Sequence, residues 1–331
     1  MYALVAAAGL LGLLLTPAFG CAGTPSHERK ETVAPEPPRE YVETALVPSS
    51  GHTIRVRDGD DLQDAIDVAQ LGDTIVVEAG GTFKGPFTLP KKTGTGWLTI
   101  RTSTPDKQFP PPGTRVAPSH APLMPKLISW KGEGVVLAER GAHHYRFIGI
   151  ELAPSEGSYL YSLMWFGTNR ERTVEELPHH IIVDRCYLHG DPKKGSRRGV
   201  ALNGRHLAVV DSYLSDFKEV GGDSQAILGW GGAGPFKISN NYLEGAGENI
   251  MFGGGDPYIK DLVPSDIEVR GNHLVKPLRW KKNEPGYEGT QWSVKNLFEL
   301  KNARRVIVEG NVMEHSWEEA QTGFAVLFTV R

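Results

Sequence analysis

"FKISNNYLEGAGENIMFGG", residues 236–254, reads as two apolar runs split by a turn. The first run ends on Asn240 and Asn241, and asparagine is a poor strand residue. The polar pair makes sense once the pattern is seen to recur. Octapeptides of the same kind start at 145 (YRFIGIEL), 181 (IIVDRCYL), 207 (LAVVDSYL), 236 (FKISNNYL), 267 (IEVRGNHL) and 306 (VIVEGNVM). Each is apolar at its first, third and eighth positions. The sixth is Ile150, Cys186, Ser212, Asn241, Asn272 and Asn311. Self-similarity at a spacing of 26 to 39 residues marks a stacked-repeat architecture. Short alternating runs with Gly, Asn and Asp between them make the units β. Stacking sets equivalent residues about 4.8 Å apart, so asparagines at one corner form an internal ladder. Asn also tolerates the left-handed backbone that a sharp bend needs.

The chain has 331 residues, 40% hydrophobic, with 39 glycines and a net charge of -3. Solenoids grow without one central core, so a single domain of this length is allowed. The charge gives no case for nucleic acid. Residues 1–20 are an apolar run ending Ala18-Phe19-Gly20, a signal-peptidase pattern. With Cys21 next, the run resembles a bacterial lipoprotein signal, which implies lipidation of Cys21. Simple secretion is the alternative. Either way the protein is expected outside the cytoplasm: as an outer-membrane lipoprotein, periplasmic or secreted. Any membrane attachment would run only through that anchor, and a monomer is expected. Residues 21–48, Pro-rich and charged, read as a tether. Cys186 is the only other cysteine, which excludes a disulfide framework.

Residues 49–331 form the repeat body. Near its start Asp60 can cap a helix with Gln63 three residues on, and Leu62, Ala65, Ile66 and Ala69 share a face. This amphipathic helix is expected to cover the open end of the stack. The helix, "GDTIVVEAGGTF", "LTIRTS" and the repeats together resemble the right-handed parallel β-helix superfamily of pectate lyases and other polysaccharide-active proteins. Within it the chain is similar to bacterial β-helix repeat proteins without an assigned reaction. The expected fold is therefore all-β, a right-handed parallel β-helix solenoid with an N-terminal capping helix. The apolar ending "GFAVLFTVR" leads us to expect a C-terminally truncated piece of a longer protein.

A second strand follows each corner: GVALNG, QAILGW, NIMFGG, LFELKN, FAVLFT. Leu202, Leu228, Phe252, Leu300 and Leu327 are expected inward, with Gly229, Ile227 and Met251 among the outward residues. The resemblance implies that the outer face of these strands floors a substrate groove.

A lyase on uronates must neutralise the C6 carboxylate, with Ca²⁺ or Arg, and needs a base. A hydrolase needs two carboxylates. Polygalacturonase and pectate-lyase motifs are absent. "NNYLEGAGENIMF" loosely resembles the calcium-binding segment of alginate and chondroitin lyases, with Glu248 present and Ile250 at the second acid's place. The catalytic candidates are Glu299, Lys301, Glu248 and Asp223. Glycan contacts are expected from Asn203, Gln225 and Asn249 on the groove face. The loop 276–292 adds Arg279, Lys281 and Lys282 for charge, and Trp280 and Trp292 for stacking. "DPKKGSRRG", with Arg197 and Arg198, is a second basic turn. No cysteine–histidine metal spacing stands out. Two functions fit: an enzyme on extracellular, acidic polysaccharide, with a lyase preferred to a hydrolase, or a non-catalytic glycan-binding or structural β-helix.

Overall fold

The computed structural model describes residues 34–168 and 170–329. The signal run and Cys21 lie outside these residues. No helix among the described residues is long and apolar enough to cross a membrane.

Three parallel sheets make up the body, with nine, eight and eight strands among the described residues. From Thr74 on, each turn of the chain visits the first, second and third sheet in order. One such rung runs through Arg205–Val210, Tyr213–Phe217 and Gln225–Gly229, and the next through Phe236–Ser239, Tyr242–Gly245 and Glu248–Phe252. Every strand pairs in parallel with its counterpart one rung away. This is the expected β-helix, right-handed as parallel crossovers are. The apolar first and third octapeptide positions fill its interior: Tyr145, Phe147, Ile181, Val183, Leu207, Val209, Phe236, Ile238, Ile267 and Val269 are all buried in one continuous cluster.

The corner between first and second sheets answers the question posed by Asn240 and Asn241. The fifth octapeptide residue is left-handed at every rung: Gly149, Arg185, Asp211, Asn240, Gly271 and Gly310 have φ between 50° and 65°. The sixth residue then turns inward and forms the ladder. Asn241 Oδ1 accepts from Ser212 N (2.9 Å), Asn272 Oδ1 from Asn241 N (2.9 Å) and Asn311 Oδ1 from Asn272 N (2.9 Å). Each Nδ2 donates to a strand carbonyl of the rung before: Val209, Ile238 and Val269, all at 2.8 Å. Ser212 Oγ continues the column by accepting from Cys186 N (3.0 Å). Buried backbone groups at the bend are thus satisfied.

The helix forms at Leu62–Val68 and buries Leu62, Ala65 and Ile66 against the first rung. Its cap is Asp61, which accepts from Gln63 N (2.7 Å); Asp60 instead accepts from Arg57 N (2.7 Å) in the preceding turn. From Glu36 onward the Pro-rich segment belongs to the folded body. It straps across the outer face of the first sheet. Val42 packs on Ile182, Ala208 and Val210, and Arg146 donates to Thr44 O (2.9 Å) and Ala45 O (3.0 Å).

Candidate functional site

The outer face of the third sheet carries a groove of about 770 Å³. Register fixes its floor. Phe166, Leu202, Gly229, Phe252 and Leu300 form one inward column, and Met164, Val200, Ile227, Ile250 and Phe298 the other. The outward column between them is Trp165, Ala201, Leu228, Met251 and Glu299. This corrects the sequence-based assignment at two rungs. In the first, Leu228 faces out, while Gly229 and Ile227 face in. At the end, Phe328 rather than Leu327 pairs with Leu300. The reason is packing. A Cβ on Gly229 would lie 2.7 Å from the Phe252 ring, so glycine makes room for that side chain.

A bulge opens several of these strands. The N–H groups of Asn249 and Ile250 both reach Leu297 O (3.1 and 3.2 Å), and Val135 and Val136 converge likewise on Leu163 O. The bulge cancels one step of the alternation. Arg198 and Gln225, which precede it, therefore line the same groove as Leu228 and Met251, which follow it.

The groove is aromatic and cationic. Tyr161 stacks on Trp165 (centroids 5.9 Å apart), and Trp230 meets Trp165 edge-on. The Arg198 guanidinium lies 4.9 Å from the Tyr161 ring centre and 5.3 Å from that of Trp230. It is only 8% exposed, and its Nε donates to Gln225 Oε1 (3.1 Å). Burial pulls its pKa down from the usual guanidinium value. It forms no ion pair among the described residues. Glu219, the acid whose field acts on it, is taken by Tyr159 (2.8 Å) and Arg197 (3.5 Å). Arg197 also donates to the Tyr161 hydroxyl (2.9 Å).

Of the expected catalytic residues, Asp223 and Lys301 line the groove. Burial opposes the Asp223 charge, but the Lys295 ammonium bonded to it holds its pKa below the ordinary carboxylate value. Glu248 lies beneath, accepting from Gln225 Nε2 (2.7 Å), and burial pushes its pKa up. Lys276 faces this layer from the neighbouring turn; burial lowers its pKa, and its ammonium donates to Gly245, Ala246 (2.9 Å) and Gly247 (2.8 Å) carbonyls. Glu299 is buried and accepts from Asn296 (3.0 Å) and Thr329 (2.7 Å).

Of the expected glycan contacts, Gln225 lines the groove. Asn203 and Asn249 do not. Asn203 is fully buried: it donates to Gly167 O (3.1 Å) and accepts from Trp230 N (2.9 Å) and Gly231 N (3.0 Å), locking a turn. Asn249 points inward past the bulge to Leu243 O (2.6 Å) and Val275 O (2.9 Å). The 276–292 loop stands apart from the groove. Trp280 and Trp292 are buried in a cluster with Ala246 and Val294. Arg279 pairs with Glu244 (2.8 Å) and Asp216 (3.1 Å); burial works against its charge, and these acids raise its pKa. Lys281 pairs with Glu284 (2.9 Å), and Lys282 is exposed to solvent. The aromatic–basic signal is real, but it serves packing on the second sheet. Sequence reasoning noted Arg197 and Arg198 only as a basic turn. The signal available was their position at the start of a third-sheet strand, Arg198–Leu202.

Calcium does not fit this groove. It takes six to eight oxygens, whereas Asp223, Glu248 and Glu299 each have an ammonium, amide or hydroxyl partner, and Glu133 adds a single further carboxylate to the lining. The one group of three or more metal-capable side chains among the described residues is made of histidines.

No family model matches the sequence, and no curated protein matches it significantly. Among solved structures, an alginate lyase from Paenibacillus sp. str. FPU-7 aligns over 85% of this chain and 99% of its own, at 12% identity and TM-score 0.36. The PL6 family alginate lyase AlyGC aligns over 88% of this chain at 13% identity and TM-score 0.30, this chain spanning 41% of it. On its own three all-parallel sheets, the chain has a right-handed parallel β-helix fold.

Proposed function

We propose that the third-sheet groove binds an acidic polysaccharide and cleaves it by β-elimination. The observation that carries this is Arg198, a nearly buried guanidinium on the groove floor, between two aromatic rings and without a carboxylate partner. Such a group suits a substrate carboxylate, which it can hold by paired hydrogen bonds. The rings of Tyr161, Trp165 and Trp230 offer apolar faces to the sugar.

Neutralising the uronate carboxylate acidifies the C5 hydrogen. The C5–H bond breaks, its electron pair forms C4=C5, and the C4–O pair leaves with the oxygen, which takes a proton. No oxidant is needed. Lys301 and the Tyr161 hydroxyl line the same groove and can take one proton and return the other. Hydrolysis is less well supported, because Glu248 and Glu299 are buried and bonded, and Asp223 is ion-paired. The same features leave non-catalytic glycan binding as the second reading. We also place the protein outside the cytoplasm, with Cys21 as its anchor.

The test is a panel of polymannuronate, polyguluronate, polygalacturonate and a neutral glucan. It is read by ultraviolet absorbance of the new double bond, by reducing ends and by affinity. Arg198→Ala should lose roughly 10- to 150-fold in affinity or kcat/KM, the worth of a hydrogen bond to a charged group. Affinity without products selects the binding reading. A wild type that neither binds nor cleaves any acidic chain, or an Arg198→Ala variant equal to it, refutes both.

A further inference from the structure

A second cluster lies on the first sheet, and none of its residues lines the groove. In sequence it is two doublets, His143-His144 and His179-His180, followed by Arg205-His206. Each pair ends one residue before the first inward residue of an octapeptide: Tyr145, Ile181 and Leu207. The register sets His179 beside both His143 and Arg205. The second member of each pair is left-handed, with φ of 60° at His144, 53° at His180 and 53° at His206. In an extended strand, neighbouring side chains point to opposite faces. The left-handed residue cancels that step, and both rings of a doublet meet. Their Nδ1 atoms are 2.8 Å apart in each doublet. The rungs then stack ring on ring. Centroids are 4.8 Å apart for His143 and His179, 4.6 Å for His144 and His180, and 4.4 Å for His180 and His206.

The same position is left-handed at Asp266 (58°) and Arg305 (53°), so the conformation belongs to the sheet; what sets these three consecutive rungs apart is that each places a histidine on it. One nitrogen from each of His144, His179 and His180 lies within 4.8 Å of the others. A metal at 2.0–2.1 Å from each nitrogen holds its ligands about 3.3 Å apart in a tetrahedron and about 2.9 Å apart at right angles. The doublet pair already has the right-angle spacing, and the third ring needs to move by on the order of an ångström to reach a metal. A cavity of about 210 Å³ between strap residues 41–47 and Trp97 opens onto His180 and His206, giving room for a water ligand. His206 Nδ1 is buried there without a hydrogen-bond partner. Arg205 is the cation beside the rings, and Glu40, 3.7 Å from His206 Nε2, offsets it.

We propose that His144, His179 and His180 bind a late first-row divalent transition metal, Cu²⁺, Ni²⁺ or Zn²⁺, which links two rungs of the first sheet. Imidazole donors suit these ions, whereas Ca²⁺ and Mg²⁺ prefer oxygen. The site is independent of the groove and of its reaction.

The test uses the full chain, stripped with a chelator and titrated calorimetrically with Zn²⁺, Ni²⁺ and Ca²⁺. About one equivalent of Zn²⁺ or Ni²⁺ should bind and Ca²⁺ should not. His144→Ala and His180→Ala should each weaken binding roughly tenfold or more, and should abolish the rise in unfolding midpoint that metal gives the wild type. Should either variant fail to fold, the wild type decides alone: its Cu²⁺ complex should show hyperfine coupling to several imidazole nitrogens by electron paramagnetic resonance. Absence of stoichiometric binding, wild-type affinity in the folded variants, or a Cu²⁺ spectrum without nitrogen coupling overturns the site.

Discussion

Asn241→Leu isolates what the corner ladder contributes. Asn241 is fully buried and holds three partners: it accepts from Ser212 N, and donates to Val209 O and Asn272 Oδ1. Leucine has a similar volume, so little cavity forms. One group is orphaned, the Ser212 N–H; the Val209 carbonyl stays in the strand ladder and loses only its second donor. Asn272 Oδ1 keeps the Asn241 N–H (2.9 Å). The orphan costs about 1–3 kcal/mol and the lost second bond about 0.5–1.5 kcal/mol more. The extra apolar surface that leucine buries offsets roughly 1–2 kcal/mol. A net loss of about 1–3 kcal/mol should lower the thermal midpoint by roughly 2–12 °C. Asn311→Leu is the control. Asn311 bonds in the same way to Asn272 N and Val269 O, but it is only half-buried, so water can replace the lost amide. Thermal unfolding followed by far-ultraviolet circular dichroism should rank wild type first, Asn311→Leu next and Asn241→Leu last. An Asn241→Leu midpoint equal to that of the wild type, or equal costs at the two sites, would refute the ladder argument.

Gly229→Ala should destabilise by about 1–3 kcal/mol, because the added Cβ meets the Phe252 ring at 2.7 Å and Leu202 O at 3.0 Å; an unchanged urea midpoint would mean that Gly229 does not face the core. Glu248 has its pKa raised, by burial first and by Asp223, against the pull of Lys276 and Lys295. It therefore holds its proton more firmly folded than unfolded, and stability should fall as pH rises from the ordinary glutamate range toward the raised one. Glu248→Gln, which still accepts from Gln225, should remove that slope; midpoint-against-pH curves that run parallel for variant and wild type would contradict it. Processing before Cys21 with lipidation should appear in the intact mass of membrane-extracted protein, whereas an unmodified Cys21 terminus in the soluble fraction would leave plain secretion.

The parts of the fold legible in the sequence are those where one residue type solves one backbone problem at every rung. The fifth octapeptide position must be left-handed and the sixth must supply an acceptor inside the bend. Gly, Asn and Asp recur at the first of these, and Asn and Ser at the second. Period-two alternation was legible too, but its phase was not fixed at every rung. It slipped by one residue at Leu228 and Gly229, because pattern favours leucine inward, whereas the register puts Gly229 there and leaves room for the Phe252 ring. The 276–292 loop misled for a different reason. A tryptophan buried against Lys218, whose ammonium lies 4.9 Å from the Trp292 ring centre, has the same composition as one awaiting a sugar. Only burial separates the two.

What went unread at the groove and the histidines has a common cause. Motif spacing in most folds is counted along a helix or across a hairpin, where ligands sit a few residues apart. In a solenoid the near neighbour of a residue is its counterpart one rung on. His143 and His179 are 36 positions apart in sequence, yet their rings stack at 4.8 Å. Arg198, Gln225 and Glu248 are likewise three successive counterparts, joined side chain to side chain across the strands. The octapeptides supply the index for such a search. Aligned on Tyr145, Ile181 and Leu207, the preceding residues read His-His, His-His and Arg-His, and the column is visible before any coordinate is consulted. The chemistry of this chain is written across the rungs rather than along them. Substitutions should therefore couple most strongly between counterparts: Arg198→Ala should change the response to Glu248→Gln more than to Asp223→Asn, which is ion-paired to Lys295 off that column.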